Sequence, residues 1–123
     1  PAALRETFLG PAARGRILLD GAEEPRGFVT LLPTYNTVKG QPGFFLADVF
    51  VRAEHRRRGL GRALIAAATA EAAREGGAFL WWTSLPRNAA AHAFYAALGA
   101  EEEVLHAHTL DGEALARLAR QAP

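Results

Sequence analysis

The sequence predicts a mixed α/β layer structure in which hairpins feed a strand-helix-strand crossover. Three observations point there. Short apolar runs rich in β-formers and bounded by glycine or proline fill the first half. Two alanine-rich runs of strong helix formers, each stopped by glycine, fill the second half. The strongest apolar run is joined by a polar, arginine-rich turn to the first of these helical runs, with another apolar run behind it.

In chain order, Gly15 to Asp20 is a short strand closed by Gly21 and a polar turn to Pro25. Gly27 to Leu32 is a second strand, stopped by Pro33. The stretch from Pro33 to Gly43 holds two prolines and two glycines, so it reads as a loop or a wide hairpin connection. Phe44 to Val51 is apolar on both faces and reads as a central strand. Arg62 to Arg74 is a helix ended by Gly76-Gly77, and Phe79 to Thr83 is a buried strand with Trp81 and Trp82 in the core. Asn88 caps a helix running to Leu98, with Gly99 as its stop. Glu103 to Thr109 reads as a further strand. The tail from Asp111 to Gln121 is an amphipathic helix with Leu115 and Leu118 facing inward.

Composition narrows the function. At 123 residues there is room for a single domain and one core. No apolar run reaches the ~18 residues of a membrane helix, and no signal peptide is legible. Cysteine is absent, which removes disulfides and thiolate metal sites and points to a reducing, cytoplasmic setting. A formal charge of +1 gives no global field to draw nucleic acid or an anionic membrane. His106 and His108 alternate on one predicted strand face without a third ligand at suitable spacing, so no metal site is expected. The sequence starts at Pro1 and has no methionine, as follows if the initiator was removed or if the chain is part of a longer one.

The chemistry is concentrated after the central strand, in Arg56-Arg57-Arg58-Gly59-Leu60-Gly61 and the helix behind it. Glycines at a strand-to-helix turn let backbone approach a ligand closely. The first helical turn offers free N–H groups and the positive end of its dipole, a combination suited to a pyrophosphate. Arg57, Arg58 and Arg62 can add charge-assisted contacts to phosphate. There is no Gly-Lys-Ser/Thr, and Ala63 and Leu64 replace the third glycine of a dinucleotide fingerprint.

Arg56-x-x-Gly59-x-Gly61 after an apolar strand resembles the acetyl-CoA motif of the GNAT superfamily of N-acetyltransferases. Downstream, Asn88 stands seven residues before Tyr95 within N-A-A-A-H-A-F-Y, followed by Leu98-Gly99-Ala100. That element is similar to the superfamily's N-x-x-A-x-x-F-Y-x-x-x-G-F/A, and the resemblance covers about Gly15 to Thr109. It implies a mixed, mostly antiparallel sheet flanked by helices, which splays between Phe44–Val51 and Phe79–Thr83 to admit acetyl-CoA. It further implies transfer of an acetyl group to a small-molecule primary amine by direct attack in a ternary complex. The run from Thr34 to Val51 and the Asp111-Gly112-Glu113-Ala114-Leu115 tail resemble the diamine (spermidine/spermine) acetyltransferase branch, in which homodimers are common. Two departures stand out: Ala47-Asp48 replaces that branch's Glu-Asp pair, and Arg87 replaces an aromatic residue before Asn88. The resemblance implies that Pro1 to Gly10 is the end of one of the superfamily's opening helices and that the rest of its opening strand and helices is missing, so residues 1–123 read as a single domain truncated at its N-terminus.

By the same resemblance, Tyr95 donates a proton to the leaving thiolate; a core tyrosine is the structural alternative. Asp48 guides the amine or relays its proton, or else serves the strand alone. Backbone groups of Val49, Phe50 and Val51 pair with the pantetheine arm, and Arg56 to Arg62, with Leu60 inside that stretch, form the pyrophosphate turn. Asn88 bonds the coenzyme arm or only caps its helix. Tyr35 flanks the acceptor. A coenzyme-binding module without catalysis and a nucleic-acid-binding arginine run are the competing classes, the latter lacking interleaved aromatics.

Overall fold

The computed structural model describes residues 2–20 and 23–123, so the predicted turn at Gly21 lies outside the described residues. The chain divides into two compact units, Pro1–Asn88 and Ala89–Pro123.

The first unit opens with helix α1 (Ala2–Phe8) and continues through strands β1 (Arg16–Asp20), β2 (Gly27–Asn36) and β3 (Gln41–Val51). Helix α2 (Leu60–Arg74) and strand β4 (Leu80–Trp81) complete it. The strands form one sheet in the order β1-β2-β3-β4. The first two pairings are antiparallel and β3 with β4 is parallel, so the predicted mixed, mostly antiparallel sheet is present.

The core lies between α2 and one face of β2 and β3. Leu60, Leu64, Ala68 and Ala72 recur every four residues on α2 and are buried with Ile65. They meet Val29, Leu31, Phe44 and Leu46 from the sheet, of which Val29 and Leu31 are fully enclosed. Arg16 on β1 reaches Glu71 on α2 at 3.6 Å and Glu75, which caps the helix C-terminus, at 3.2 Å, tying sheet to helix from outside. Glu71 also accepts two hydrogen bonds from the Arg74 guanidinium, which holds its carboxyl below the usual range. The helix ends in a Schellman turn: Gly77 N–H donates to Ala72 C=O at 2.8 Å, and Gly76 takes φ +82°.

The hairpin from β2 to β3 corrects the predicted loop. Pairing runs on through Pro33↔Phe44 to Asn36↔Gln41. β1 ends opposite Leu31, so from Leu32 onward β2 is an edge strand and tolerates a residue without an N–H. The turn is closed by the Asn36 side chain, which accepts from Lys39 N–H at 3.0 Å, and by Gly40 at φ +67°. β3 is central, as expected, yet its C-terminal half is open: Val49 and Phe50 are 37% and 45% exposed. The predicted strand at Phe79–Thr83 contracts to two residues, and Trp81 is half-exposed instead of core.

The second unit holds helices α3 (Ala89–Ala97) and α4 (Gly112–Ala119). α3 ends on Gly99 at φ +92° in a second Schellman turn, with Ala100 N–H donating to Tyr95 C=O at 3.1 Å. The strand expected at Glu103–Thr109 does not form. No strand among the described residues of this unit is available to build a ladder with it, and Val104 and Leu105 are exposed. On α4, Leu115 and Leu118 are both about half-exposed, contrary to the predicted inward face.

Two glycines place α2 against the sheet, for different reasons. At Gly27 an added Cβ would lie 2.5 Å from Phe50 C=O and 3.1 Å from Leu64 Cδ1, so only hydrogen lets the helix sit this close to the end of β3. At Gly59, which starts α2 at φ +76°, a Cβ would meet nothing within 4 Å, and the constraint is the left-handed backbone alone. Gly27→Ala is therefore expected to destabilise the fold by about 2 kcal/mol or more through overpacking. Gly59→Ala should cost only about 1 kcal/mol. Urea unfolding of both variants checks the ranking, which fails if Gly59→Ala proves the more damaging.

Candidate active site

β3 and β4 pair only at Phe44↔Leu80 and Phe45↔Trp81, after which β3 runs on to Val51 without a β4 partner. The backbone of Leu46–Val51 thus presents an edge that can accept an extended ligand as an added strand. Val49, Phe50 and Val51, the residues expected to pair with a pantetheine arm, lie along it.

The turn after β3 is built by its own hydrogen bonds. Arg52 N–H donates to Arg26 C=O at 2.8 Å, and a short 3₁₀ turn follows at Ala53–His55. Arg56 leaves that turn extended, and its Nε donates to Val51 C=O at 3.0 Å. Arg56 is thereby a brace between turn and strand end, leaving Arg57, Arg58 and Arg62 as the exposed cations of the motif. Among the described residues none of those three forms an ion pair. Arg57 has φ +63°, and among the described residues it alone takes positive φ without being glycine. Backbone held in that region costs about 1–2 kcal/mol and marks a turn fixed by its surroundings.

Left-handed Arg57 and Gly59 lead into a helix start with no side-chain cap. Gly59 C=O accepts from Ala63 N–H at 3.0 Å, the first bond of α2. The N–H groups of Leu60, Gly61 and Arg62 precede it and have no carbonyl inside the helix to reach. Leu60 itself is buried and anchors the first turn in the core, while the space over Gly59 stays clear. Uncapped amides, a helix dipole, open room and three unpaired guanidinium groups suit a pyrophosphate. The residues therefore fit the coenzyme that the sequence motif implies.

Asp48 is placed by a β-bulge. The register passes from Thr30↔Asp48 to Leu31↔Leu46, which leaves Ala47 unpaired. The extra residue shifts the alternation by one, so Asp48 shares a face with Thr30 and not with the buried Leu46. Thr30 Oγ1 donates to Asp48 Oδ2 at 2.7 Å. Asp48 is exposed, whereas Thr30 is 6% exposed.

The other expected site residues are distributed differently. Tyr35 stands five residues beyond Thr30 along β2, about 17 Å at ~3.4 Å per residue. It lines an open cavity of about 290 Å³ at the hairpin end with Thr34, Asn36, Thr37, Phe79 and Trp81. The structure therefore does not bring Tyr35 to Asp48. Asn88 directly precedes α3, and Tyr95 is half-buried on α3 with its ring 5.6 Å from that of Phe94.

Two residues escaped the sequence reading. Thr30 carried no signal, because its partner depends on a bulge that alternation alone does not reveal. His55, in the 3₁₀ turn, has a buried Nδ1 with no hydrogen-bond partner among the described residues. Its position between the strand and the glycine turn was the available clue.

Comparisons with known proteins identify the family and the fold. The L-ornithine N5-acetyltransferase NATA1 of Arabidopsis thaliana is 33% identical over 75 residues, which are 61% of this chain and 33% of that protein. The match thus spans about a third of the length of that curated relative. An integron cassette protein from the mobile metagenome of V. cholerae has the same fold, with TM-score 0.79 and 21% identity over 98% of this chain and 78% of that one. The crystal structure of a probable acetyltransferase matches with TM-score 0.67 and 25% identity, over 81% of this chain and 69% of that one. The description "Acetyltransferase (GNAT) family" fits residues 2–100, and the chain belongs to that family.

Proposed function

We propose that this chain is an acetyl-CoA-dependent N-acetyltransferase acting on a primary amine of a small molecule, diamine- or polyamine-like or amino-acid-like. The observation that carries the reading is the start of α2, where uncapped amides and clear space over Gly59 lie beside Arg57, Arg58 and Arg62. Acetyl-CoA is the acyl donor that membership of the family implies. L-Ornithine, the acceptor in the name of the Arabidopsis relative, is at once an amino acid and a diamine, which supports the acceptor class.

The reaction forms a nitrogen–carbon bond and breaks a carbon–sulfur bond, with one proton leaving the amine and one reaching the thiolate. An alkyl ammonium of pKa ~10.4 must give up its proton at a cost of roughly 4.6 kcal/mol at pH 7 before it can attack. Asp48 attracts and aligns the ammonium and passes its proton toward water. The pyrophosphate is held at α2 and the pantetheine arm along Val49–Val51, which fixes the thioester for attack. Tyr95 supplies the proton to the departing sulfur, a role that rests on its place in the N-A-A-A-H-A-F-Y element. A single carboxylate at Asp48, with Ala47 beside it, favours acceptors of lower charge than a full polyamine.

Thiol release from acetyl-CoA, followed with L-ornithine, spermidine and simple diamines, tests the reading. Release that requires an amine is expected from the parent. Tyr95→Phe should lower kcat by about 100-fold with little change in the acetyl-CoA KM. A parent that binds acetyl-CoA but releases thiol with none of these amines would mark a coenzyme-binding module without transferase activity.

A further inference from the structure

We infer that Thr30 is a positioning residue for the acceptor amine, acting through Asp48. The inference rests on the proposed role of Asp48 and adds to it the group that fixes the carboxylate's orientation.

Among the described residues Thr30 is the one polar or charged side chain that is buried, at 6% exposure. A buried hydroxyl needs a partner, and this one has a carboxylate: Oγ1 donates to Asp48 Oδ2 at 2.7 Å. Such charge-assisted bonds are short and about twice as strong as neutral ones. The two residues are directly opposed in the β2–β3 register, and the bulge at Ala47 starts immediately beside them. Without that bulge Asp48 would fall on the opposite face, away from Thr30. Bulge and hydroxyl therefore act together, the first choosing the face and the second the orientation.

The consequence is chemical. Thr30 occupies Oδ2 and leaves Oδ1 of the exposed Asp48 to meet an ammonium. A β-branched side chain in a strand has restricted χ1, so the donor itself is stiff. The carboxylate is held in one orientation before the amine arrives, which reduces the ordering that binding would otherwise require. Valine at this position would fill the same volume but leave the carboxylate free to turn.

The test uses the whole chain, with L-ornithine and spermidine as acceptor probes and steady-state thiol release as the readout. Thr30→Val is expected to raise the amine KM about tenfold while leaving the acetyl-CoA KM at the parental value. Thr30→Ser, which restores the hydroxyl, should recover most of the loss. In an Asp48→Asn background Thr30→Val should raise the amine KM no further, because the charged carboxylate that Thr30 orients has become a neutral amide. Circular dichroism checks that each variant keeps the parental fold, and Thr30→Ala replaces valine if that variant does not. Parental kinetics in Thr30→Val beside a strongly impaired Asp48→Asn would overturn the role of Thr30 and leave that of Asp48 standing. Parental kinetics in Asp48→Asn would remove the Asp48 reading, and the inference with it.

Discussion

Backbone hydrogen-bonding groups demand partners, and near the C-terminal end of β3 this structure leaves a strand edge and a helix start open to a ligand. The strand keeps β2 along its full length but parts from β4 after two pairs. Nine residues beyond Val51, α2 begins with amides that have no carbonyl to reach and no side chain to cap them. The free edge asks for an extended partner with donors and acceptors, and the helix start asks for an anion. One ligand that is an amide-bearing arm joined to a pyrophosphate meets both demands. The rest of the first unit serves to hold these two features in place: Gly27 lets Leu64 press against the end of the sheet, Leu60 anchors the helix start, and Arg56 braces the turn.

Much of this was legible in the residues because local chemistry dictated it. Phe44–Val51 is a strand by composition, and the helix behind it is fixed by alanine and leucine before and glycine after. The glycine turn and its arginines carried the site, since positive φ and room for a ligand are needs that only a few residue types meet. What remained hidden depended on pairing between distant residues. Pro33 looks like a stop, but it is admitted to β2 because β1 has already ended. Leu80–Trp81 is only a fragment of the predicted strand because β3 pairs with it over two residues. Glu103–Thr109 has a strand's composition and no ladder to join within its unit. Asp48 could be named from sequence, whereas its face and its bond to Thr30 follow from a one-residue slip in register that no periodicity records.

The bulge at Ala47 links fold to proposed chemistry. Alternation from the buried Leu46 would send the next residue but one, Asp48, toward α2, where an unpaired carboxylate would meet Val29 and the rest of the core. The extra residue turns Asp48 outward and gives it Thr30 instead. A device that spares the core a buried charge thus also orients the acid proposed to receive the amine. Tyr35, although part of the same hairpin, lines the cavity at the opposite end of β3 from Asp48.

The most direct test of the central claim is calorimetric titration of acetyl-CoA into the parent and into Gly59→Glu. Glutamate at that point places bulk and negative charge in the space reserved for the pyrophosphate. The account predicts micromolar affinity for the parent and none for a variant that remains folded. Equal affinity in both proteins, or a folded parent that takes up no acetyl-CoA, would contradict it.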